Sequence, residues 1–269
     1  MNWQRIVLLL RFDLYYSLTR LKGWVFLVPF SLWWYLIFYQ INKGVLDILQ
    51  SQEGIMATSA IYGTDGALNL FIDHPPSVSL FYIISLTSIP FFVVLGGYDQ
   101  FSSDFGSGFF RFLVARCKRM EIFLARFLSA FCLIAGSYLI VAGICAIISM
   151  HNDGYAATDV LIYSVRVYLT LMLYSLTFIA FMSLISTLVR STLAALFLGM
   201  LACGLIVLFK FFAKFTAQKS IVAYLLANGV MDYLIELDTG DFYMALAILP
   251  VYVLVYAGIA FQIFNRRNL

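Results

Sequence analysis

Two histidines (His74, His151) and four cysteines (Cys117, Cys132, Cys145, Cys203) are all the imidazole and thiol metal ligands this sequence offers. A His-rich metal centre is excluded by number. The cysteines show no CxxC spacing, and three lie in apolar runs, where a thiol acts as a small buried hydrophobe. Asp73-His74-Pro75-Pro76 reads as loop structure rather than a site. No GxxxxGK[ST] run occurs, so no phosphate-cradling loop is present. The residues that could do work are concentrated between positions 99 and 127. Asp99 and Asp104 come first, then Gly106 and Gly108, which allow a turn. Phe109, Phe110, Phe112 and Leu113 follow, with Arg111 among them, and then Arg116, Lys118, Arg119, Glu121 and Arg126. This order predicts a short amphipathic helix lying flat under a membrane, able to dock into a groove on a soluble partner; a solvated basic loop is the plainer alternative.

The membrane follows from composition. Of the 269 residues, 63% are hydrophobic and 12% charged, with a mean hydropathy of +0.94. A soluble domain carries about 25% charged residues; with half that share the chain must present much of its surface to lipid. The net charge of +3 is too mild to suggest nucleic acid. Six segments have spanning length and apolarity: 24–41, 78–98, 127–150, 167–189, 192–212 and 242–264. At about 1.5 Å per residue each matches a hydrocarbon core of about 30 Å, and only helices satisfy their own backbone there. The expected fold is therefore an all-α integral membrane protein, a single domain over 1–269. No small-residue cleavage site follows the first span, so no removable leader is expected. Ile221–Leu237 should form a short outer helix lying on the membrane or dipping into it.

Alternate loops, counted from the N-terminus, hold Arg5, Arg11, Arg20, Lys22, Arg111, Arg116, Lys118, Arg119, Arg126, Arg190, Arg266 and Arg267, twelve of the 17 basic residues. Ten of the 14 acids lie on the other side. The positive-inside rule then puts both termini in the cytoplasm. The span centres contain no Asp, Glu, Lys, Arg or His. Coupling to protons or sodium usually needs ionisable groups within the bilayer, and hydrolysis needs a base and a nucleophile, so an external energy source is expected and enzymatic chemistry is not. Arg126, Arg166 and Lys210 sit at span ends, where long side chains snorkel. Pro29, Pro90 and Pro250 read as ordinary membrane-helix prolines. Ala195, Gly199 and Cys203 form a small-residue face for close helix packing, within the chain or across a dimer. Trp24, Trp33, Trp34 and Tyr98 read as interfacial belt anchors. Residues 1–22 form an elbow helix with Trp3, Ile6, Val7, Leu10, Leu14 and Leu18 on one face.

The segment at 99–127 resembles the permease subunits of ABC-2 type (type V exporter-like) ABC transporters. Asp104 stands at the motif's acidic position, Gly108 at its glycine and Arg119 at its arginine, and Glu121-Ile-Phe-Leu-Ala-Arg126-Phe127 parallels the run that opens the third span. Phe109 replaces a threonine, the proline is missing, and Arg126 replaces a lysine. The layout is similar along the whole chain. The resemblance implies a bacterial inner-membrane exporter or flippase paired with a second permease copy or paralogue, its substrate passing between spans two and five. It further implies a separate nucleotide-binding ATPase carrying ATP and Mg, with no cofactor on this chain. Residues 99–121 would be the coupling region: Asp104, Arg111, Arg116, Lys118 and Arg119 at or beside the contact, with Gly106 and Glu121 in the same segment, and Phe109, Phe110 and Leu113 as apolar anchors. A non-transporting membrane scaffold remains the alternative.

Overall fold

A computed structural model describes residues 2–19, 21–41, 70–216, 227–235 and 239–267, together with 44, 51 and 237. Among them all regular structure is helical: α1 Trp3–Thr19, α2 Leu21–Ile41, α3 Pro76–Gly97, α4 Ser102–Ser107, α5 Phe110–Val114, α6 Arg119–Asn152, α7 Ala157–Leu188, α8 Thr192–Thr216, α9 Met231–Ile235 and α10 Gly240–Arg266, with a 3₁₀ turn at Ala227–Val230. Five helices are long and apolar enough to cross a membrane: Gly23–Ile41, Pro76–Ser107 (which includes α4), Arg119–Asn152, Ala157–Leu188 and Gly240–Arg266. In α8 the stretch Thr192–Leu205 is a shorter apolar helix.

Local chemistry sets the boundaries. Pro75-Pro76 opens α3, with Pro76 where its missing N–H costs nothing. The carboxylate of Asp153, just past the end of α6, accepts from Ser77 N (3.0 Å), Ser77 Oγ (2.8 Å) and Ser149 Oγ (2.8 Å), joining that end of α6 to the start of α3. Thr239 caps α10 by accepting from Phe242 N at 3.2 Å. Between α1 and α2, a side chain at Gly23 would collide with the Ser17 carbonyl, so only glycine permits this elbow.

Helices of similar hydropathy are buried very differently. The apolar windows of α3 and α7 are 83% and 72% buried, against 33% for α6, 22% for α2 and 17% for α10. α3 and α7 therefore form the centre, packed on one another and surrounded by α2, α6, α8 and α10. The outer helices turn residues such as Leu139, Ile140, Ile144, Leu254 and Val255 outward, a surface suited to hydrocarbon. Phe26, Phe30, Trp34, Phe81, Phe92 and Tyr138 interlock between α2, α3 and α6.

Several sequence expectations change here. Trp34 and Tyr98 are core residues, 2% and 7% exposed, rather than belt anchors, whereas Trp24 and Trp33 do face outward. The face of Ala195, Gly199 and Cys203 is buried within the chain: a Cβ on Gly199 would lie 2.9 Å from Met182 of α7 and Val94 of α3, and Cys203 Sγ lies 3.6 Å from the Pro90 carbonyl. Spans two and five are thus in contact at Gly199 and Cys203. The described part of the expected outer helix packs on the bundle: Met231, Leu234 and Ile235 are buried, and Tyr82 Oη donates to the Leu234 carbonyl at 2.6 Å. Residues 221–226 and 236 of that expectation lie outside the described residues.

Candidate functional site

The segment expected to be one amphipathic helix is two short ones. Gly108, at φ 71°, ends α4 in the left-handed conformation, and Phe109 N donates to the Asp104 carbonyl at 3.1 Å, closing the turn before α5. Gly106 lies inside α4 rather than in the turn, and its role is close approach: a Cβ there would stand 2.8 Å from the Arg190 carbonyl. α4 is thereby pressed against the tight turn between α7 and α8. From α7, Ser186 Oγ accepts from both Phe101 N (2.9 Å) and Ser102 N (3.0 Å), satisfying two donors at the start of α4.

The apolar residues of the segment divide. Phe110 is 1% exposed and packs with Phe101, Phe123 and Phe264, so it anchors the chain's own interior. Leu113 packs partly against the same cluster. Phe109 and Phe112 remain exposed, at 38% and 73%. Arg111 is exposed on α5.

The charges bind elements that are distant in sequence. Arg126 on α6 pairs with Asp13 of α1 at 2.7 Å and with Asp104 of α4 through its other terminal nitrogen. It is thus the centre of a triad and not a snorkelling end residue. Burial pushes the Asp13 carboxyl up to about 6, against the pull of Arg126 and helped by the negative charges of Asp104 and Asp99. The triad forms part of the wall of a cavity of about 460 Å³, together with Asp99, Gln100, Tyr16 and Phe112.

Both termini are tied to the same segment. Glu121, 1% exposed, accepts from Asn2 N (2.7 Å) and Lys118 N (3.2 Å), so it caps the start of α6 and holds the start of α1. Arg5 Nη1 donates to the Arg116 carbonyl at 3.2 Å. Arg119 donates to the carbonyls of Phe264 (3.3 Å), Asn265 and Arg267 (3.1 Å), neutralising the end of α10. Arg267 in turn donates to the Thr187 carbonyl and lies 4.1 Å over the Phe105 ring. Arg119 and Glu121 therefore act as internal struts, and of the expected contact cations Arg111, Arg116 and Lys118 remain on the surface.

Sequence reasoning missed Asp13 and misread Arg126. It placed Trp3, Ile6, Val7, Leu10, Leu14 and Leu18 on one face of an interfacial elbow helix. The structure buries Ile6 and Asp13 and half-buries Leu9, Leu10 and Leu14, leaving Trp3, Val7 and Leu18 exposed. A carboxylate on the same helical face as Ile6 and Leu10 was the available signal.

Fold and site together define an all-helical protein of membrane-spanning architecture whose charged groups gather where the two termini meet. Residues 67–269 match the family model described as "Protein of unknown function (DUF2705)", and the chain belongs to that family. The matched region includes Asp104, Glu121 and Arg126; Asp13 precedes it. No curated protein matches the chain.

Proposed function

We propose that this protein is the membrane-spanning permease subunit of an ATP-driven ABC-2-like transporter, exporting or flipping its substrate with energy from a separate ATPase. Under this reading α8 completes six spans. The end carrying both termini is cytoplasmic, as twelve of the 17 basic residues suggest. The observation that carries the proposal is the connectivity of residues 99–121. One short surface segment touches α1, the opening of α6, the α7–α8 turn and the end of α10. A push on it reaches most of the bundle at once, as a coupling element must.

The docking surface is the tip of α4–α5, with Phe109, Arg111 and Phe112 outward and Arg116 and Lys118 beside it. Asp104, Gly106, Gly108, Phe110, Leu113, Arg119 and Glu121 hold the tip to the bundle. With α3 and α8 in contact inside one chain, the substrate path runs along the surface shared with the second permease copy. The test is purification of the tagged chain from native membranes, with assay for a bound P-loop ATPase. Arg111→Glu with Phe112→Glu should abolish ATPase retention and leave the chain's own melting temperature unchanged. ATPase retention by that variant would refute the docking surface. A functional protein with no ATPase attached would refute the transporter reading.

A further inference from the structure

At the 115–118 turn between α5 and α6 lies a shallow, open depression walled by Arg5 of α1, Arg116, Lys118, Arg119 and, from α10, Phe261 and Asn265. Four cations converge there, and no carboxylate is among the lining residues. Arg5 and Arg119 are already engaged, Arg5 with the Arg116 carbonyl at 3.2 Å and with the charge of Glu121, and Arg119 with the last carbonyls of α10. The exposed Arg116 and Lys118 therefore carry the charge that a ligand would meet. Gathering like charges on rigid elements is unfavourable unless an anion completes the set.

The position of the groove says which anion. α1 turns Trp3, Leu8, Phe12 and Tyr15 outward, all more than half exposed, while its inner side is buried on α6. A helix with this outer face lies at a membrane interface. Its first turn supplies Arg5, and α10, one of the spanning helices, supplies Phe261 at the groove's apolar edge. We infer that the groove binds the phosphodiester headgroup of an anionic membrane lipid, with the acyl chains running along the outer surface of α10. Basic pockets between spans on the cytoplasmic side hold such headgroups, each cation adding to the attraction. The assignment of the leaflet rests on the orientation proposed above; the binding does not.

The test uses the purified full-length chain without any ATPase, in detergent, titrated with phosphatidylglycerol or phosphatidylcholine and read by native mass spectrometry. Phosphatidylglycerol adducts should persist where phosphatidylcholine adducts do not. Arg116→Gln with Lys118→Gln should weaken phosphatidylglycerol binding roughly 25-fold, at roughly five-fold per cation. Arg116→Lys with Lys118→Arg, which keeps both charges, should restore most of it. Arg190→Gln, at an exposed cation outside the lining, should leave it unchanged. Equal losses in Arg190→Gln and the double variant would mean diffuse attraction and overturn the site. Displacement by millimolar inorganic phosphate would assign the groove to free phosphate instead. Absence of lipid preference, combined with an ATPase that needs Arg116 and Lys118, would place a protein there. Because no ATPase is present in the lipid titration, its failure is distinct from failure of the transporter reading.

Discussion

Between α3 and α7 the buried polar groups are mostly hydroxyls, some returning to nearby backbone and some reaching a neighbouring element, whereas where the termini meet they are full charges that join different elements. Ser175 Oγ and Thr177 Oγ1 donate three residues back, to Met172 and Tyr174; Ser183 Oγ lies 2.8 Å from the Ile179 carbonyl and 2.9 Å from Gln100 Oε1, and Ser79 Oγ lies 3.1 Å from Tyr163 Oη. The local bonds satisfy polar atoms without fixing how helices pair. Arg126, Glu121 and Arg119, by contrast, each choose a partner helix: α1 and α4, the start of α1, and the end of α10. The centre is held by shape and apolar contact, and the charged end by specific ionic geometry. Contacts at α4–α5 are therefore directional.

The contrast can be broken most strongly at Arg126. Arg126→Ala leaves Asp13 and Asp104 facing each other with no cation between them, and breaking a largely buried pair costs about 3–5 kcal/mol. Thermal unfolding in detergent should fall accordingly, with α1 released first, as read by proteolysis within residues 2–19. Gly106→Ala should cost less, about 1–3 kcal/mol, because the atom it meets is the Arg190 backbone carbonyl and the turn must shift; crosslinking between α4 and the α7–α8 turn should drop.

A pH titration sharpens the comparison further. The folded Asp13 carboxyl titrates at about 6 against an ordinary 3.8, so between these values the folded chain holds the extra proton. Its stabilising contribution is complete below 3.8 and is lost as pH rises through about 6. Melting temperature should rise between pH 7 and pH 5, and Asp13→Asn should flatten that slope. The smallest effect belongs to the centre. Ser85 Oγ is buried without a partner, so Ser85→Ala should raise stability, by up to about 1 kcal/mol, and not lower it.

Five of the six expected spans were legible as long apolar helices because an apolar run of bilayer length has few alternatives in lipid. The observed α3, Pro76–Gly97, differs from the expected 78–98 by a residue or two at each end. α6 and α7 extend beyond their apolar cores into polar ends, at Arg119–Asn152 and Ala157–Leu188, which hydropathy alone would trim. The charged segment was legible as a site of concentrated function but not as a shape. α5 has five residues, too few for periodicity to reveal that Phe110 turns in while Phe112 turns out. The triad was illegible for a different reason: positions 13, 104 and 126 become neighbours only after α1 folds back onto α6. Trp34 was misplaced because its sequence neighbours Trp24 and Trp33 do face outward, and one helix turn decides the matter.

The most direct test of the central claim is ATPase retention measured on the Arg126→Ala chain beside wild type, with the α4–α5 tip left intact. If the ion-paired end transmits motion from a motor, the variant should still bind the ATPase but lose most of its transport-coupled ATP hydrolysis. Full coupling in the variant, with α1 shown to be released, would contradict the account.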